Sequence, residues 1–279
     1  MSRYTLTINA IGGLCNRLRA IAAGMRISEV TDRDLCVVWN VNDDLAARFY
    51  DLFQPLPDGI KLLTPSTFDY RLKWEIPRKK NVYISWLYQK VRFKASFSDA
   101  YGLPDYHDRA DEFLKSMRTI YGDVLITTGG EICGFDAEVV RCIFRPNARV
   151  EELLDSKIRN FDGDTIGVHI RRTDNKQSIM CSPDSLFLSI MEKRIEENDR
   201  TKFFVASDDP KVLHALVSRF GARVMCGDMQ VSRKNLSGML QATADLWALS
   251  RTKEIIGSYY SSYSEMAALI GGIPITIVK

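Results

Sequence analysis

The regular alternation of apolar runs with helix-forming segments in the second half of the chain limits the folds open to it. The apolar runs are continuous, so the strands they predict should be buried on both faces. Strands that alternate with helices form a parallel sheet, with right-handed crossovers that place helices on both faces. We therefore predict an α/β fold with a doubly wound parallel sheet. The predicted strands cover residues 165–170, 202–207, 222–226, 254–258 and 273–278, and the predicted helices cover 183–198, 210–220, 237–250 and 262–270.

Residues at the ends of these segments agree with the assignment. Ser182 followed by Pro183 predicts a helix start, because serine can cap the first turn and proline at the first helical position has no N–H to leave unpaired. Gly221 predicts a helix end. Ser262 and Glu265 have the spacing of a capping box.

The first half of the chain begins with the same pattern. The stretch YTLTINA predicts a strand, IGGLCN predicts a turn, and an apolar stripe up to residue 30 predicts a helix. We expect two Rossmann-like domains, residues 1–155 and 156–279. The strands predicted in the first domain cover residues 4–10, 35–39, 81–88 and 123–128.

Composition narrows the class of protein. Apolar residues make up 46% and charged residues 26% of 279 residues, which is typical of a globular chain and argues against disorder. The formal net charge of +3 is too small to predict nucleic-acid or membrane binding by the whole surface. Six cysteines lie far apart without a C-x-x-C pair, so we expect free buried thiols in a reducing compartment rather than disulfides or a zinc site. No signal peptide or membrane span is apparent, and a cytoplasmic location is expected.

Polar side chains follow three of the predicted strands at their carboxyl ends. They occupy residues 169–174, 206–210 and 258–262. Because the carboxyl ends of parallel strands share one edge of a sheet, these three groups should converge there, where such sheets bind ligands.

The chemistry of this edge suits a nucleoside diphosphate. Arginine forks match phosphate oxygens, and the first N–H groups of the helix predicted at 262–270 favour an anion. Strand alternation separates Arg171 from Arg172, so we expect Arg171 to be the main phosphate contact and Arg172 to support it. The carboxylate of Asp245 could accept bonds from the N1–H and N2–H₂ groups of guanine.

Structural roles can explain each of these features separately. The residues at 171–174 could form a salt-bridge network, and those at 208–210 could cap the next helix. Asp245 could bond the backbone or pair with Arg251, and His169 could be an ordinary core histidine. Their convergence on one edge favours a binding site, because unrelated structural roles would not arrange it.

Other motifs argue against several alternatives. The glycine pattern after the first strand does not match G-x-G-x-x-G, and no P-loop sequence is present. The two D-x-D strings, at 32–34 and 162–164, precede strands and so lie at the opposite edge. We interpret them as turns and predict no metal site.

Four segments in the second half resemble, in order, the motifs of the α1,6- and protein O-fucosyltransferase superfamily. They are GVHIRRTD, FFVASDDP, ADLWALS and GSYYSSYSEMAA. The stretch GGLCNRL near the N-terminus resembles the glycine-rich loop that follows the first strand of those enzymes. Residues 40–150 carry no part of the resemblance.

The resemblance implies a GT-B-like architecture, in which two Rossmann-like domains face a cleft, the first binding the acceptor and the second the donor. It implies GDP-fucose as donor, inversion at the sugar carbon and no cofactor or metal. Arg171, supported by Arg172, would stabilise the departing GDP as the catalytic residues. The resemblance places donor binding at Gly13, Asn16, Arg17, His169, Asp174, Asp208, Asp209, Asp245, Ser261 and Ser262, with His169 and Asp245 reading the guanine.

The catalytic base and the acceptor are less constrained. Asp43, Asp44 and Glu131 are candidate bases, and no spacing selects one. Residues 81–102 interleave aromatic and basic side chains, which could stack sugars or single-stranded nucleic acid, or form an amphipathic segment with solvated bases. We expect a glycan acceptor of the cell envelope, reached from the cytoplasmic side with peripheral membrane contact, and no nucleic-acid partner.

Two other functions remain open at this stage. The chain could be a non-catalytic module that binds nucleotides or glycans with the same fold. It could also be a transferase that uses a different nucleotide sugar.

Overall fold

The computed structural model describes residues 3–173, 176–227 and 232–279. The chain divides into two compact units, residues 1–145 and 146–279. This boundary lies before helix α7 (Ala148–Ile158), whereas the predicted boundary at 155 cuts through it. The helix belongs to the second unit because it packs along α11 (Leu236–Leu249) of that unit.

The first unit contains a parallel sheet covered by helices. Within the described residues its strands run in the order β3-β2-β1-β5-β4. A π-helical turn (Tyr70–Trp74) and a 3₁₀ turn (Lys79–Asn81) lie between β3 and β4. The strands are β1 (Thr5–Ala10), β2 (Asp34–Trp39), β3 (Ile60–Leu63), β4 (Ala95–Ser98) and β5 (Val124–Thr128), and the helices are α1 (Leu14–Thr31), α2 (Phe49–Leu52), α3 (Thr67–Asp69), α4 (Trp86–Arg92), α5 (Ala110–Arg118) and α6 (Ala137–Ile143).

The second unit repeats this plan. Its strands are also parallel, in the order β10-β9-β6-β7-β8, which confirms the predicted α/β class for both halves. The strands are β6 (Thr165–Ile170), β7 (Lys202–Ser207), β8 (Val224–Cys226), β9 (Ile255–Ser258) and β10 (Ile275–Val278), and the helices besides α7 and α11 are α8 (Lys176–Cys181), α9 (Asp184–Glu197), α10 (Pro210–Phe220) and α12 (Ser262–Gly271).

Strand β6 is the centre of the second unit. All six of its residues are buried, which explains why its sequence is continuously apolar rather than alternating. On one face, Ile166, Val168 and Ile170 pack with Phe187 and Met191 of α9. On the other face, a Cβ at Gly167 would lie 2.8 Å from Thr252 Oγ1, so only glycine lets this neighbour approach.

In each unit the chain crosses from one side of the first strand to the other. The chain proceeds outward from β6 through β7 to β8, and then returns to the other side of β6 to form β9. In the first unit the corresponding reversal separates β1 from β5. Sheets of this kind bind ligands outside the carboxyl ends of the two strands at such a reversal.

The strand predicted at 81–88 is wrong, because this segment contains the end of the 3₁₀ turn and the start of α4. Within it the polar Ser85 is buried, as is Gln89 just after it, while the apolar Val82 and Ile84 are exposed. The prediction assumed that the apolar side chains of this segment face inward, whereas in the structure they face outward. The edge strands β3 and β4 were not predicted, since each has only four residues and a weak apolar pattern.

Two of the predicted helix caps also differ in the structure. Pro183 itself is the N-cap of α9, and Ser261 rather than Ser262 is the N-cap of α12. Gly221 ends α10 as predicted, with φ of 58°.

All six cysteines are free, but the expected burial holds only for Cys15, Cys36 and Cys133, and Cys142 is exposed. Among the helices of the described residues, none combines the length and the apolar character that crossing a bilayer requires.

Candidate functional site

The carboxyl ends of β6 and β9 are joined by a buried serine. Ser258 Oγ accepts a hydrogen bond from the Arg171 N–H at 3.0 Å and donates to the His169 carbonyl at 3.3 Å. Ser258 is fully buried, so this link is shielded from water. The backbone that carries the two predicted ligand-binding side chains is thus fixed at the strand reversal of the second unit.

His169 lies in the interior of this site. Its Nδ1 is 3.4 Å from Ser261 Oγ, and its ring stacks on Tyr263 with centroids 4.7 Å apart and planes inclined by 30°. The pKa of His169 is lowered to about 4, mainly by burial, with Asp208 acting in the opposite direction and Arg171 acting with the burial. The imidazole is therefore neutral near pH 7, and the structure brings it together with Ser261 as the predicted convergence requires.

Asp208, at the end of β7, organises the loop that follows β6. Its Oδ1 accepts the Arg172 N–H at 2.7 Å, and its Oδ2 accepts the Thr173 hydroxyl at 2.6 Å and the Thr173 N–H at 3.3 Å. We predicted Asp208 as a donor-binding residue. These contacts give it a positioning role, because they set the path of the chain just beyond Arg171.

Arg172, predicted to support Arg171, contacts other protein groups through its guanidinium. Its guanidinium bonds the Asp184 carboxylate, the Ser182 carbonyl at 2.7 Å and the Arg171 carbonyl at 2.8 Å, and it lies over the Phe187 ring. Only 10% of its side chain is exposed. With its N–H groups directed at these partners, Arg172 holds the loop in place, and this argues against the predicted direct contact with phosphate.

Asp209 caps α10, as the structural alternative proposed. Its Oδ1 accepts the Lys211 N–H at 2.9 Å, and Pro210 occupies the first turn. This geometry supports a role in site integrity rather than in contact with a ligand.

Asp245 forms a buried ion pair that the sequence did not indicate. Its Oδ1 lies 2.9 Å from Lys157 Nζ, and the two side chains are 4% and 9% exposed. The alternative pairing that we considered, with Arg251, is not the one observed. A Cβ at Gly227 would lie 2.6 Å from both carboxylate oxygens, so the carboxylate faces the exit of β8. The ion pair argues against Asp245 as a direct reader of guanine and favours a role in joining α7 to α11.

The start of α12 provides the remaining predicted groups in this unit. Ser261 is 1% exposed, and its hydroxyl faces His169 instead of capping the helix. Ser262 is the half-buried first residue of the helix. Asp174, also predicted to bind the donor, lies outside the described residues.

In the first unit, glycine pairs follow both strands at the reversal. Gly12 has φ of +80°, and a Cβ there would lie 2.9 Å from Asn16 Nδ2. Gly13 is the N-cap of α1. On the neighbouring strand exit, a Cβ at Gly129 would lie 3.2 Å from the Ile11 carbonyl. The predicted Gly13 and Asn16 therefore lie where two backbone segments approach closely.

Arg17 is fully buried, in contrast to its predicted contact with the donor. Its Nε donates to the Gly12 carbonyl at 2.8 Å, and its two Nη atoms donate to the Asn40 carbonyl and, at 3.0 Å, to Asn42 Oδ1. The guanidinium also lies 5.1 Å from the centre of the Trp39 ring. Burial lowers the pKa of Arg17 to about 10, and the side chain remains charged. Through its bond to the Gly12 carbonyl, Arg17 holds the glycine turn at residues 12 and 13 in place.

The structure adds residues that sequence patterns did not select. Ser182, predicted only as a cap, donates to the Val278 carbonyl and accepts the Tyr259 N–H at 2.9 Å, which links β10 and the β9 exit. Asp99, after β4, accepts the Thr128 hydroxyl at 2.6 Å and the Gly129 N–H at 2.9 Å. Long-range pairing of this kind carries no local signal, although the position of Asp99 just after a strand could have indicated it.

A surface pocket of about 740 Å³ lies away from this site, at the amino ends of β6 and β7. Two of its acidic side chains, Asp162 and Asp164, form ion pairs with Lys202 and Arg200. We assign it no ligand, because its charged groups already neutralise each other. Within the described residues, no three His, Cys, Asp or Glu side chains come together in a metal-binding arrangement.

Each unit is a doubly wound parallel α/β unit, and the second carries a buried histidine beside an arginine at its strand reversal. Residues 128–238 match the family model of α-(1,6)-fucosyltransferase N- and catalytic domains. The match covers less than half of the chain, and it agrees with the fucosyltransferase superfamily that the sequence motifs resemble. A search of curated protein sequences finds no significant match.

Solved fucosyltransferase structures share the fold across the chain. NodZ from Bradyrhizobium is 18% identical with a TM-score of 0.63, covering 97% of this chain and 94% of that one. A mutant of Arabidopsis thaliana FUT1 in complex with GDP is 18% identical with a TM-score of 0.64, covering 99% and 70%. POFUT1 in complex with GDP is 11% identical with a TM-score of 0.53, covering 99% of both chains. NodZ α-1,6-fucosyltransferase has also been soaked with GDP-fucose.

Proposed function

We propose that this protein transfers fucose from GDP-fucose to a glycan acceptor, with inversion and without a metal ion. The observation that carries the proposal is the joining of His169, Arg171 and Ser261 at the strand reversal of the second unit. The structural neighbours that bind GDP or GDP-fucose support this choice of donor.

Arg171 is the residue proposed to bind the departing diphosphate. It is half-buried, and its backbone N–H is held by Ser258. Negative charge develops on the diphosphate as the sugar–oxygen bond breaks, and a fixed cation in a partly dry site stabilises that charge strongly. The N-terminus of α12, a ten-residue helix, adds a favourable dipole at the same edge. We propose that Arg171 and the N-terminus of α12 stabilise the charge of the diphosphate, so that no metal ion is needed.

His169 is proposed to recognise the nucleotide base. A neutral imidazole donates from one ring nitrogen and accepts at the other, which suits the uncharged edge of a purine. The contact with Ser261 and the stacking on Tyr263 fix the ring orientation. We give Asp245 a supporting role here, because its carboxylate is held by Lys157.

The proton acceptor for the incoming glycan hydroxyl is not selected by the geometry. Asp43, Asp44 and Glu131 are all exposed. Stabilisation of the leaving group by Arg171 therefore forms the centre of the proposed mechanism.

Calorimetry with GDP, UDP and CDP tests the donor. Preference for GDP is expected; preference for UDP or CDP would instead indicate a transferase that uses another nucleotide sugar. A transferase is expected to hydrolyse GDP-fucose slowly when no acceptor is present. If the protein binds GDP but shows no hydrolysis, a non-catalytic module is favoured. Activity that disappears in a chelator and returns with added magnesium would refute the metal-independent part of the proposal.

An Arg171→Ala variant tests the mechanism. We expect a loss of roughly 100- to 1,000-fold in the rate of donor hydrolysis, by analogy with the removal of one preorganised group facing a developing anion. Arg219→Ala is the matched control, because Arg219 is an exposed arginine paired with Glu192 on the surface. Hydrolysis at the wild-type rate in Arg171→Ala would show that the leaving group is stabilised elsewhere.

A further inference from the structure

Residues 76–98 of the first unit form a segment that has no role in the proposed donor site. The segment contains six lysine or arginine residues and no aspartate or glutamate, although the whole chain has a formal charge of only +3. Its charge of +6 therefore exceeds that of the complete protein. We refer to it as the basic–apolar segment.

The basic–apolar segment also exposes large apolar side chains. In the described part of the chain it contributes six of the seventeen large hydrophobic residues that are exposed. Their exposures reach 79% at Val82 and 80% at Val91, values that a soluble surface rarely shows in a cluster. The six are Val82, Tyr83, Ile84, Trp86, Leu87 and Val91.

The apolar side chains are held outward by a fixed inner face. On α4, Gln89 is buried and donates to the carbonyls of Lys73 at 3.1 Å and Glu75 at 3.0 Å. Tyr88 packs against Trp74 with ring centroids 5.8 Å apart. Because these contacts fix the helix orientation, Leu87 and Val91, one turn apart, are left to face solvent.

The turn before α4 is also rigid and is strained. Val82 and Tyr83 have φ of 52° and 54°, a left-handed conformation that is unusual for any side chain and costly for a β-branched one. Asn81 Oδ1 accepts the N–H groups of Arg78 at 2.9 Å and Tyr83 at 3.2 Å, which holds the turn in this shape. The chain thus maintains a costly conformation that presents Val82, Tyr83 and Ile84 to the outside.

We propose that the basic–apolar segment binds the surface of an anionic lipid bilayer. Arg92 is paired with Asp123, and the other five cations, Arg78, Lys79, Lys80, Lys90 and Lys94, are exposed. Exposed lysines and arginines attract anionic headgroups, tryptophan and tyrosine favour the interface, and aliphatic side chains enter the acyl boundary below it. One partner therefore accounts for both the charge and the apolar surface.

Other occupants explain only part of the segment. A nucleic acid or an acidic glycan would use the cations and stack on Trp86, but it would leave Val82, Leu87 and Val91 in water. A second copy of the chain would cover the apolar residues, but a two-fold interface would bring two segments of charge +6 together. Neither combines negative charge with an apolar layer.

Sedimentation with lipid vesicles tests the proposal without any donor or acceptor, so its result does not depend on the proposed activity. We expect binding to vesicles of phosphatidylcholine mixed with phosphatidylglycerol and little binding to phosphatidylcholine alone. A Lys79→Ala/Lys80→Ala variant should bind the anionic vesicles about 30-fold more weakly, since each surface cation contributes about fivefold. Lys253→Ala, which removes an exposed lysine of the second unit, should bind as the wild type does.

The apolar contribution has its own readouts. Leu87→Ser/Val91→Ser should weaken vesicle binding about 100-fold or more, because two aliphatic side chains, each worth at least about 1.5 kcal/mol when buried, no longer leave water. Trp86 is 52% exposed, while Trp39, Trp74 and Trp247 are buried. Brominated lipids should therefore quench Trp86 selectively, and Trp86→Phe should remove the quenching while vesicle binding persists.

Three results would overturn the proposal. The first is no sedimentation of the wild type with anionic vesicles at low salt. The second is vesicle binding that is unchanged in Leu87→Ser/Val91→Ser and competed by a single-stranded oligonucleotide, which would indicate a polyanion site. The third is concentration-dependent dimerisation that Val91→Ser abolishes, which would assign the surface to a second copy. Far-ultraviolet circular dichroism of each variant confirms folding, and the exposed positions of the replaced side chains should leave it unchanged.

Discussion

Removal of the buried histidine at the β6 exit should make the protein less sensitive to acid. His169 is 8% exposed, and burial lowers its pKa to about 4 from an ordinary value of 6.5. The folded protein keeps the ring neutral, whereas the unfolded chain takes up a proton below about pH 6.5. The histidine therefore leaves stability undiminished above pH 6.5 and reduces it as the pH falls toward 4.

The size of the effect follows from the two pKa values. Between about pH 7 and pH 5, proton uptake by the unfolded chain should lower the free energy of unfolding by about 2 kcal/mol on account of His169 alone. This is a substantial part of the 5–15 kcal/mol or so that stabilises an ordinary domain. A His169→Gln variant, which does not titrate, should lack this share of the acid sensitivity.

Urea denaturation at the two pH values, followed by circular dichroism, measures the difference. The change in unfolding free energy from pH 7 to pH 5 should be about 2 kcal/mol smaller in His169→Gln than in the wild type. His214→Gln, at an exposed position in α10, is the matched control for loss of a histidine. The reasoning fails if the wild type and His169→Gln lose stability equally, or if His214→Gln reproduces the effect.

Two further substitutions test the buried charges. Asp245→Asn should destabilise the protein by about 3–5 kcal/mol, because it leaves Lys157 buried without a counter-ion. Lys157→Met/Asp245→Leu should recover most of that loss. If urea denaturation shows that Asp245→Asn costs less than about 1 kcal/mol, the ion pair is contradicted. Arg17→Lys should cost about 3 kcal/mol, since an ammonium group cannot reproduce the guanidinium contacts. The exposed Arg26→Lys is the control for the same exchange, and equal melting of both variants would count against a structural role for Arg17.

Central strands were the most predictable part of the fold. The observed β6 and β7 coincide with the predicted 165–170 and 202–207, because burial on both faces produces a continuous apolar run. The segment at 81–88 was mispredicted since its polar Ser85 is inside and its apolar neighbours are outside. Pattern-based prediction assumes that apolar side chains face the core. It fails for this segment because its apolar side chains face solvent.

The location of the site was also more predictable than the role of each residue. Parallel topology alone brings His169 and Ser261 together, so their proximity could be anticipated. The partners of Arg172 and Asp245 could not be, because Asp184 and Lys157 approach them through loop and helix packing that leaves no local pattern. Their contacts with other protein groups could therefore not be read from the sequence.

The position of α7 determines where a fragment of the second unit should begin. Val150 and Leu154 of this helix are buried, and the helix packs along α11. A fragment that started at residue 156 would lack both side chains and would expose apolar surface of α11 to water, with aggregation as the natural result. A fragment that started at Pro146 would retain the whole helix, and it is the piece to express when the second unit is studied by itself.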